Sequence, residues 1–213
     1  MRILLTGFEP FDGEAINPSW EAVCALDGWR FGAAQVHAQR ICCVFGQALR
    51  ELDAAIDAIR PELVIAVGQA GGRSEITPER IAINIDDGRI CDNAGCQPID
   101  QPVIAGAPAA YFSTLPIKAI VQALRAANIP AAVSNSAGTF VCNHLFFGLM
   151  HRLAREPGAR GGFIHIPWLP EQTVALADAH SLPLETMVEA LRIALRVAAE
   201  RTEDVREAGG QLH

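Results

Sequence analysis

Leu63-Val64-Ile65-Ala66-Val67, entered from Pro61 and running into Gly68-Gln69-Ala70-Gly71-Gly72-Arg73, is the stretch that decides the fold. The apolar run has no alternating polar face, so it reads as a strand buried on both sides, the condition of a parallel sheet covered by helices. The glycine-rich segment after it is a loop at the strand's carboxyl end, where open α/β sheets place ligands. Upstream, Phe45, Leu49, Leu52, Ile56 and Ile59 recur at helical spacing, and Pro61 stops that helix. Downstream, Ile81, Ile83 and Ile85 alternate with Ala82, Asn84 and Asp86, which predicts a half-buried strand.

The same alternation of short apolar runs and amphipathic stretches extends both ways and predicts an α/β protein with a mainly parallel sheet. Arg2 to Thr6 reads as a strand, and Asn17-Pro18-Ser19 offers a cap for a helix through Trp20, Val23 and Leu26. Ala34 to Ile41 is a weaker strand. Asp87 to Pro108, rich in Gly, Pro, Asp and Asn, reads as a long ordered loop of the functional kind. Pro116 to Ala127 is a helix, Ala131 to Ser134 a strand, Cys142 to Ala154 a helix, Gly162 to Ile166 a strand and Leu184 to Arg201 the closing helix. With no repeat, low-complexity segment or linker, the expectation is one domain over residues 1–213, with a polar tail after Thr202.

Half of the 213 residues are hydrophobic and 19% are charged, the balance of a compact globular protein. A net charge of -7 argues against nucleic acid as a partner. The longest apolar runs are too short to span a bilayer, and Gly7, Glu9, Pro10 and Asp12 interrupt the apolar start, so neither a membrane segment nor a secretory signal is expected. The six cysteines, at positions 24, 42, 43, 91, 96 and 142, fit neither paired zinc spacing nor a secreted disulfide scaffold. They read as free thiols in a reducing cytosol. Cys91 and Cys96 lack the second pair a metal site would need.

Three positions carry candidate chemistry. In Ser134-Asn135-Ser136-Ala137-Gly138-Thr139-Phe140-Val141-Cys142, a strand ends, a glycine-containing turn follows, and Cys142 falls where a helix begins. The helix N-terminus favours thiolate over thiol and presents N–H groups to an oxyanion. A cysteine in an apolar setting is also commonly just packed. His165, at the end of an apolar strand before Ile166-Pro167, is placed for a general base or for a buried structural hydrogen bond. His144 competes with it, yet two residues from Cys142 at a helix start the side chains diverge. His37, His151, His180 and His213 read as surface or tail residues. Glu79, between a glycine-rich loop and a strand, can orient a histidine or pair with Arg73 or Arg80 in a salt bridge. Gly68 to Gly72 lacks the GxGxxG and Lys-Ser/Thr signatures of nucleotide binding. Phe8 and Phe11, after the first strand, cap a core or wall a small apolar pocket.

Taken together, these segments resemble one family. Leu4 to Phe11 with Asn17-Pro18-Ser19-Trp20, Gly68 to Asn84, Ser134 to Asn143, and Gly162 to Pro167 with Leu169-Pro170-Glu171-Gln172 are similar to the pyroglutamyl peptidase I (pyrrolidone-carboxylate peptidase) family. The resemblance runs from about Ile3 to Gln172. It implies a single three-layer α/β/α domain with a twisted, mostly parallel sheet, without a cofactor or metal, in the cytoplasm, and commonly as a homotetramer. Its substrates are peptides with an N-terminal pyroglutamate (5-oxoproline), cleaved through a thioester. By motif, Cys142 is the nucleophile, His165 the base and then acid, and Glu79 the orienter, with Arg89 as a second oxyanion donor beside the Cys142 N–H. A small neutral lactam needs apolar walls, assigned to Phe8, Phe11, Ile90, Phe140 and Val141. Polar contacts come from backbone near Gln69 and Phe11, Asn17 braces the loop, and no acidic residue grips an ammonium. Two departures stand out: members often carry proline where this chain has Cys91, and proline-threonine where it has Cys42-Cys43. Rival readings are a phosphorylase-type enzyme, a non-catalytic binding module and a zinc hydrolase.

Overall fold

The computed structural model describes residues 1–156 and 158–210, so the placement expected for His213 lies outside the described residues. In chain order the elements are β1 (Arg2–Phe8), α1 (Pro18–Cys24), β2 (Arg30–Phe31), β3 (Ala34–Ile41), α2 (Gln47–Ile59), β4 (Leu63–Gln69), β5 (Thr77–Pro78) and β6 (Ile81–Ile83). They continue as β7 (Ala110–Phe112), α3 (Ile117–Ala126), α4 (Val141–Leu153), β8 (Arg160–Ile166), α5 (Pro170–Thr173) and α6 (Leu184–Glu200).

The principal sheet runs in the order β2-β3-β1-β4-β8-β5. Its β3, β1, β4 and β8 are parallel neighbours, while β2 and β5 join antiparallel at the two edges. The sheet is therefore mixed rather than mostly parallel, because its edges are closed by short returning segments that need no crossover helix.

Two cores explain the continuous apolar strands. Ile3, Leu5, Leu63, Ile65, Val67, Ile164 and Ile166 pack on one face against α1, α3 and α6. The intervening Leu4, Val64, Ala66 and Phe163 pack on the other against α2 and α4. Each strand residue thus meets a helix layer whichever way it points, which is the three-layer α/β arrangement. No helix among the described residues is long and apolar enough to cross a membrane.

Local chemistry sets several boundaries. Asn17 caps α1: its Oδ1 accepts from the Ser19 N–H (3.0 Å) and hydroxyl (2.8 Å), and Pro18 takes the first turn, where no N–H is needed. The helix expected from Phe45 starts at Gln47 instead, because Gly46 adopts φ 69° and turns the chain. The strand expected at Ala131 to Ser134 is reduced to two isolated parallel bridges, Ile76 with Ala131 and Glu79 with Ser134. Hydrogen bonds run Ile76 N to Pro130 O, Ala132 N to Ile76 O, Ser134 N to Pro78 O and Arg80 N to Ser134 O. Pro78 has no N–H to give Ala132, so the ladder breaks there.

The β6–β7 hairpin inverts its apparent alternation. Ala82 and Asp86 are buried, while Ile81, Ile83 and Ile85 are half-buried. The reason is α4: Ala82 fits beneath its aromatic residues, and Asn143 bonds the strand backbone at Ile83 N, Ile83 O and Ile85 O. The segment from Asp87 to Pro108 lacks helix and named strand but is tied down, with Asp86 paired to Gln101 and Asp92 accepting from the Phe45, Ala94 and Cys96 N–H groups. The polar tail also docks: Asp204 caps α3 at Lys118 and Ala119, and Arg80 Nη2 reaches Gly209 O at 2.6 Å.

Candidate active site

The parallel strands deliver their carboxyl ends to one edge, and register places the candidate residues there. Gly68 of β4 pairs with His165 of β8. On the other side of β8, Thr77 pairs antiparallel with His165, so Glu79 is the diagonal neighbour two residues on, with its N–H bonded to Phe163 O at 2.9 Å. His165 shares a face with Phe163, the α4 side, and the two rings lie 4.8 Å apart. Helix α4 brings Cys142, its second residue, over the same place. A Cβ on Gly68 would stand 2.8 Å from Cys142 Sγ and 2.7 Å from the Phe163 ring. Only glycine leaves the sulfur room beside the histidine strand.

Glu79 is fully buried, and its Oε1 takes two partners, His165 Nδ1 at 2.7 Å and Arg73 Nη1 at 2.7 Å. Arg73 also donates to Thr77 Oγ1 (2.5 Å) and to Ser136 O (3.0 Å), linking the glutamate to the turn before Cys142. The salt bridge to arginine and the link to histidine, alternatives on sequence grounds, coexist on one oxygen. Burial raises the Glu79 carboxyl, but its hydrogen bond and charge interaction with His165, with Arg73 added, outweigh this and hold it below the ordinary range. An ionised carboxylate only accepts, so His165 Nδ1 carries the proton and Nε2 keeps its lone pair. Burial pushes the His165 pKa down; Glu79 opposes this, Arg73 adds to it, and the net is below 6.5.

Cys142 departs from expectation. Burial, with the Glu79 charge second, pushes the thiol up to about 12, against the opposing pull of Arg73. Cys142 is half-buried and lines the cavity, and the desolvation around it opposes the pull of the helix N-terminus toward thiolate.

One cavity of about 490 Å³ is lined by both Cys142 and His165. Phe11, Gln69, Arg89, Ile90 and Phe140 also line it, with the Phe11 and Phe140 rings 6.1 Å apart as a continuous apolar wall. The turn at Asp12 (φ 55°) and Gly13 (φ 76°) presents Phe11. Gln172 Nε2 donates to Gln69 Oε1 at 3.2 Å. Phe8, Val141 and Asn17 do not line the cavity: Phe8 packs on Phe163, Val141 lies in the core, and Asn17 Nδ2 ties the loop at Glu9 O (2.9 Å). Two acidic residues, Asp12 and Glu14, do line it, both exposed at its mouth, contrary to the expectation of none. Trp168 was not singled out by the sequence; its indole lies against Gly71, where any Cβ would collide with it. Another cleft, of about 430 Å³ beside Arg60 and Arg152, holds neither cysteine nor histidine.

His144 turns away from Cys142 and is buried, with Nδ1 2.8 Å from Asp86 Oδ2. His151 is half-buried rather than a surface residue, bonded to the Tyr111 hydroxyl at 2.8 Å. Cys42 and Cys43 lie off the cavity, and burial raises both thiols, that of Cys42 to about 12. Among the described residues no group of three or more His, Cys, Asp or Glu is placed to hold a metal ion.

Comparison with known proteins gives the same answer along the whole chain. The sequence profile described as pyroglutamyl peptidase matches residues 1–201. The pyrrolidone-carboxylate peptidase of Cupriavidus taiwanensis is 62% identical over 213 residues, 99% of each chain, and that of Klebsiella pneumoniae is 57% identical over 211, again 99% of each. Among solved structures, the pyroglutamyl peptidase I of Bacillus amyloliquefaciens superposes with a TM-score of 0.93 at 51% identity, covering 96% of this chain and 99% of that one. A mutant pyrrolidone carboxyl peptidase of Pyrococcus furiosus gives 0.91 at 43%, covering 94% and 99%. With the profile and these relatives each matched over nearly their full length, the chain belongs to the pyroglutamyl peptidase family.

Proposed function

We propose that this protein is a cysteine peptidase that hydrolyses the bond after an N-terminal pyroglutamyl residue. The observation that carries the reading is the buried Glu79–His165 hydrogen bond (2.7 Å) on the floor of the cavity that Cys142 also lines. As Cys142 Sγ attacks the carbonyl beyond the lactam, its proton passes to His165 Nε2, and the imidazolium that forms is stabilised by Glu79. The oxyanion meets the N–H groups at the start of α4, which have no intrahelical partner, with Arg89 reaching from its loop. Collapse breaks the C–N bond, His165 gives its proton to the leaving amine, and a thioester remains. Water, deprotonated by His165, then releases pyroglutamate and restores the thiol.

The Phe11–Phe140 wall, Ile90 and the ordered Gln69 suit a small neutral ring with one donor and one acceptor. A free N-terminal glutamate or glutamine would bring a charged ammonium against that wall without a buried partner, and is rejected. The same reading takes the chain as one domain, in the cytoplasm and as a homotetramer, as the family resemblance implies, and exposed Phe112 (67%) and Val174 (87%) offer apolar surface for contacts between copies. Purified wild type is expected to release the chromophore from a pyroglutamyl-aminoacyl amide, and Cys142→Ala to release almost none. Equal release by both would remove Cys142 from the mechanism.

A further inference from the structure

Directly behind the apolar wall lies a second histidine–carboxylate pair that the peptidase mechanism does not use. His144 and Asp86 are buried, with 4% and 6% of their surfaces exposed. His144 Nδ1 meets Asp86 Oδ2 at 2.8 Å, and its Nε2 accepts from the Gly46 N–H at 2.8 Å. Since Nε2 is an acceptor, Nδ1 must donate, so the ring is held as one tautomer between a carboxylate and a backbone amide. The residue before Gly46 is Phe45, whose ring stands edge-on both to His144 (5.3 Å, 84°) and to Phe140 (5.4 Å, 89°). Phe140 lines the cavity.

Asp86 ties the same ring to the other wall. Its backbone pairs with Gln101 in both directions, and the next residue, Asp87, exchanges hydrogen bonds with Thr139 at 2.9 and 2.8 Å. Two residues further on are Arg89 and Ile90, which also line the cavity. One imidazole thus joins three separate pieces: the first turn of α4, the Phe45–Gly46 turn, and the root of the Arg89 loop. Gly46, at φ 69°, caps α2 and its carbonyl accepts the Arg50 N–H, so the amide that His144 holds sits at the start of that helix.

We infer that His144, held by Asp86, is a positioning residue for the lactam pocket, setting Phe140 through the Phe45 ring. The inference rests on the cavity being the pyroglutamyl site. It places His144 outside proton transfer: its effect falls on substrate fit and leaves the Cys142–His165–Glu79 cluster intact.

The test compares wild type with His144→Phe, Phe45→Leu and the double variant on the pyroglutamyl-aminoacyl amide, alongside the rate of Cys142 alkylation by iodoacetamide. His144→Phe keeps a ring and loses both hydrogen bonds; KM is expected to rise about tenfold, the scale of a modest loss of substrate positioning, with kcat and alkylation rate close to wild type. His144→Gln, whose amide oxygen can still accept from Gly46, is expected to recover much of that loss. Phe45→Leu is expected to raise KM in the same way, and the double variant to be no worse than the worse single, because both act through one contact. A fall in kcat and alkylation with KM unchanged, or KM effects that multiply, would overturn the inference. Should His144→Phe not fold, His144→Gln and Phe45→Leu carry the comparison. A wild type inactive on the amide overturns the functional reading and this inference with it, whereas an active wild type with unchanged KM in every variant overturns this inference alone.

Discussion

Arg73 adds a smaller positive contribution to a site governed by burial and the Glu79 carboxylate. Its guanidinium shares Glu79 Oε1 with His165, and its charge lowers the pKa of both His165 and Cys142. Catalysis needs His165 neutral, so activity is lost as pH falls through the His165 pKa, and the acid limb of kcat/KM is expected below 6.5. Arg73→Met removes a positive neighbour, raises the His165 pKa and should move that limb to higher pH. A pH profile of the variant on the chromogenic amide checks the sign, and a limb that stays put or moves lower contradicts it. The family resemblance marked Cys142, His165 and Glu79; read alone, their places at a helix start, a strand end and a loop left a packed cysteine, a buried structural histidine and a plain salt bridge as alternatives. The sequence left Arg73 as one of two arginines able to pair with Glu79, since loop conformation, which sequence spacing does not encode, chose between them. The state of the thiol was misread for a related reason: helix position is visible in sequence, whereas desolvation depends on what surrounds the sulfur.

At the scale of elements, the short α1 depends on its cap more than on its length. Asn17 satisfies the Ser19 N–H and hydroxyl and, through Nδ2, Glu9 O on the loop that leads to Phe11. Asn17→Ala is expected to cost about 1–2 kcal/mol, the upper part of the range for a lost N-cap, because the half-buried Glu9 carbonyl also loses its donor. Urea unfolding at neutral pH measures this, and an unchanged midpoint would show the cap to be dispensable. Helix periods and caps were legible: Phe45 to Ile59 and Pro116 to Ala127 are close to α2 and α3. The failures come where a backbone group is missing or another element intrudes. Pro78 breaks the ladder to Ala131–Ser134, and α4 claims Ala82 and Asp86 from a strand whose isoleucines looked like its buried face.

Over the whole molecule, Phe112 and Val174 stand exposed, and the proposed homotetramer would use such apolar surface. Sedimentation of the purified protein is expected to give the mass of four chains, and the mass of one chain would remove the homotetramer. The order of residues was enough for the α/β class and for most elements, because uninterrupted apolar runs, helical periods, caps and breakers are local and act within a few residues; the three motif residues came from resemblance to a family. The folded chain was needed for everything that depends on which distant segments meet. Register across β4, β8 and β5 puts Gly68, His165 and Glu79 side by side. Packing of α4 against the sheet sets the burial that pushes the Cys142 thiol up and leaves Phe8 and Val141 behind the cavity. The Asp86–His144–Gly46 chain spans 98 residues of sequence between His144 and Gly46. Such contacts follow from burial and backbone pairing summed over the molecule, which no single stretch of sequence contains.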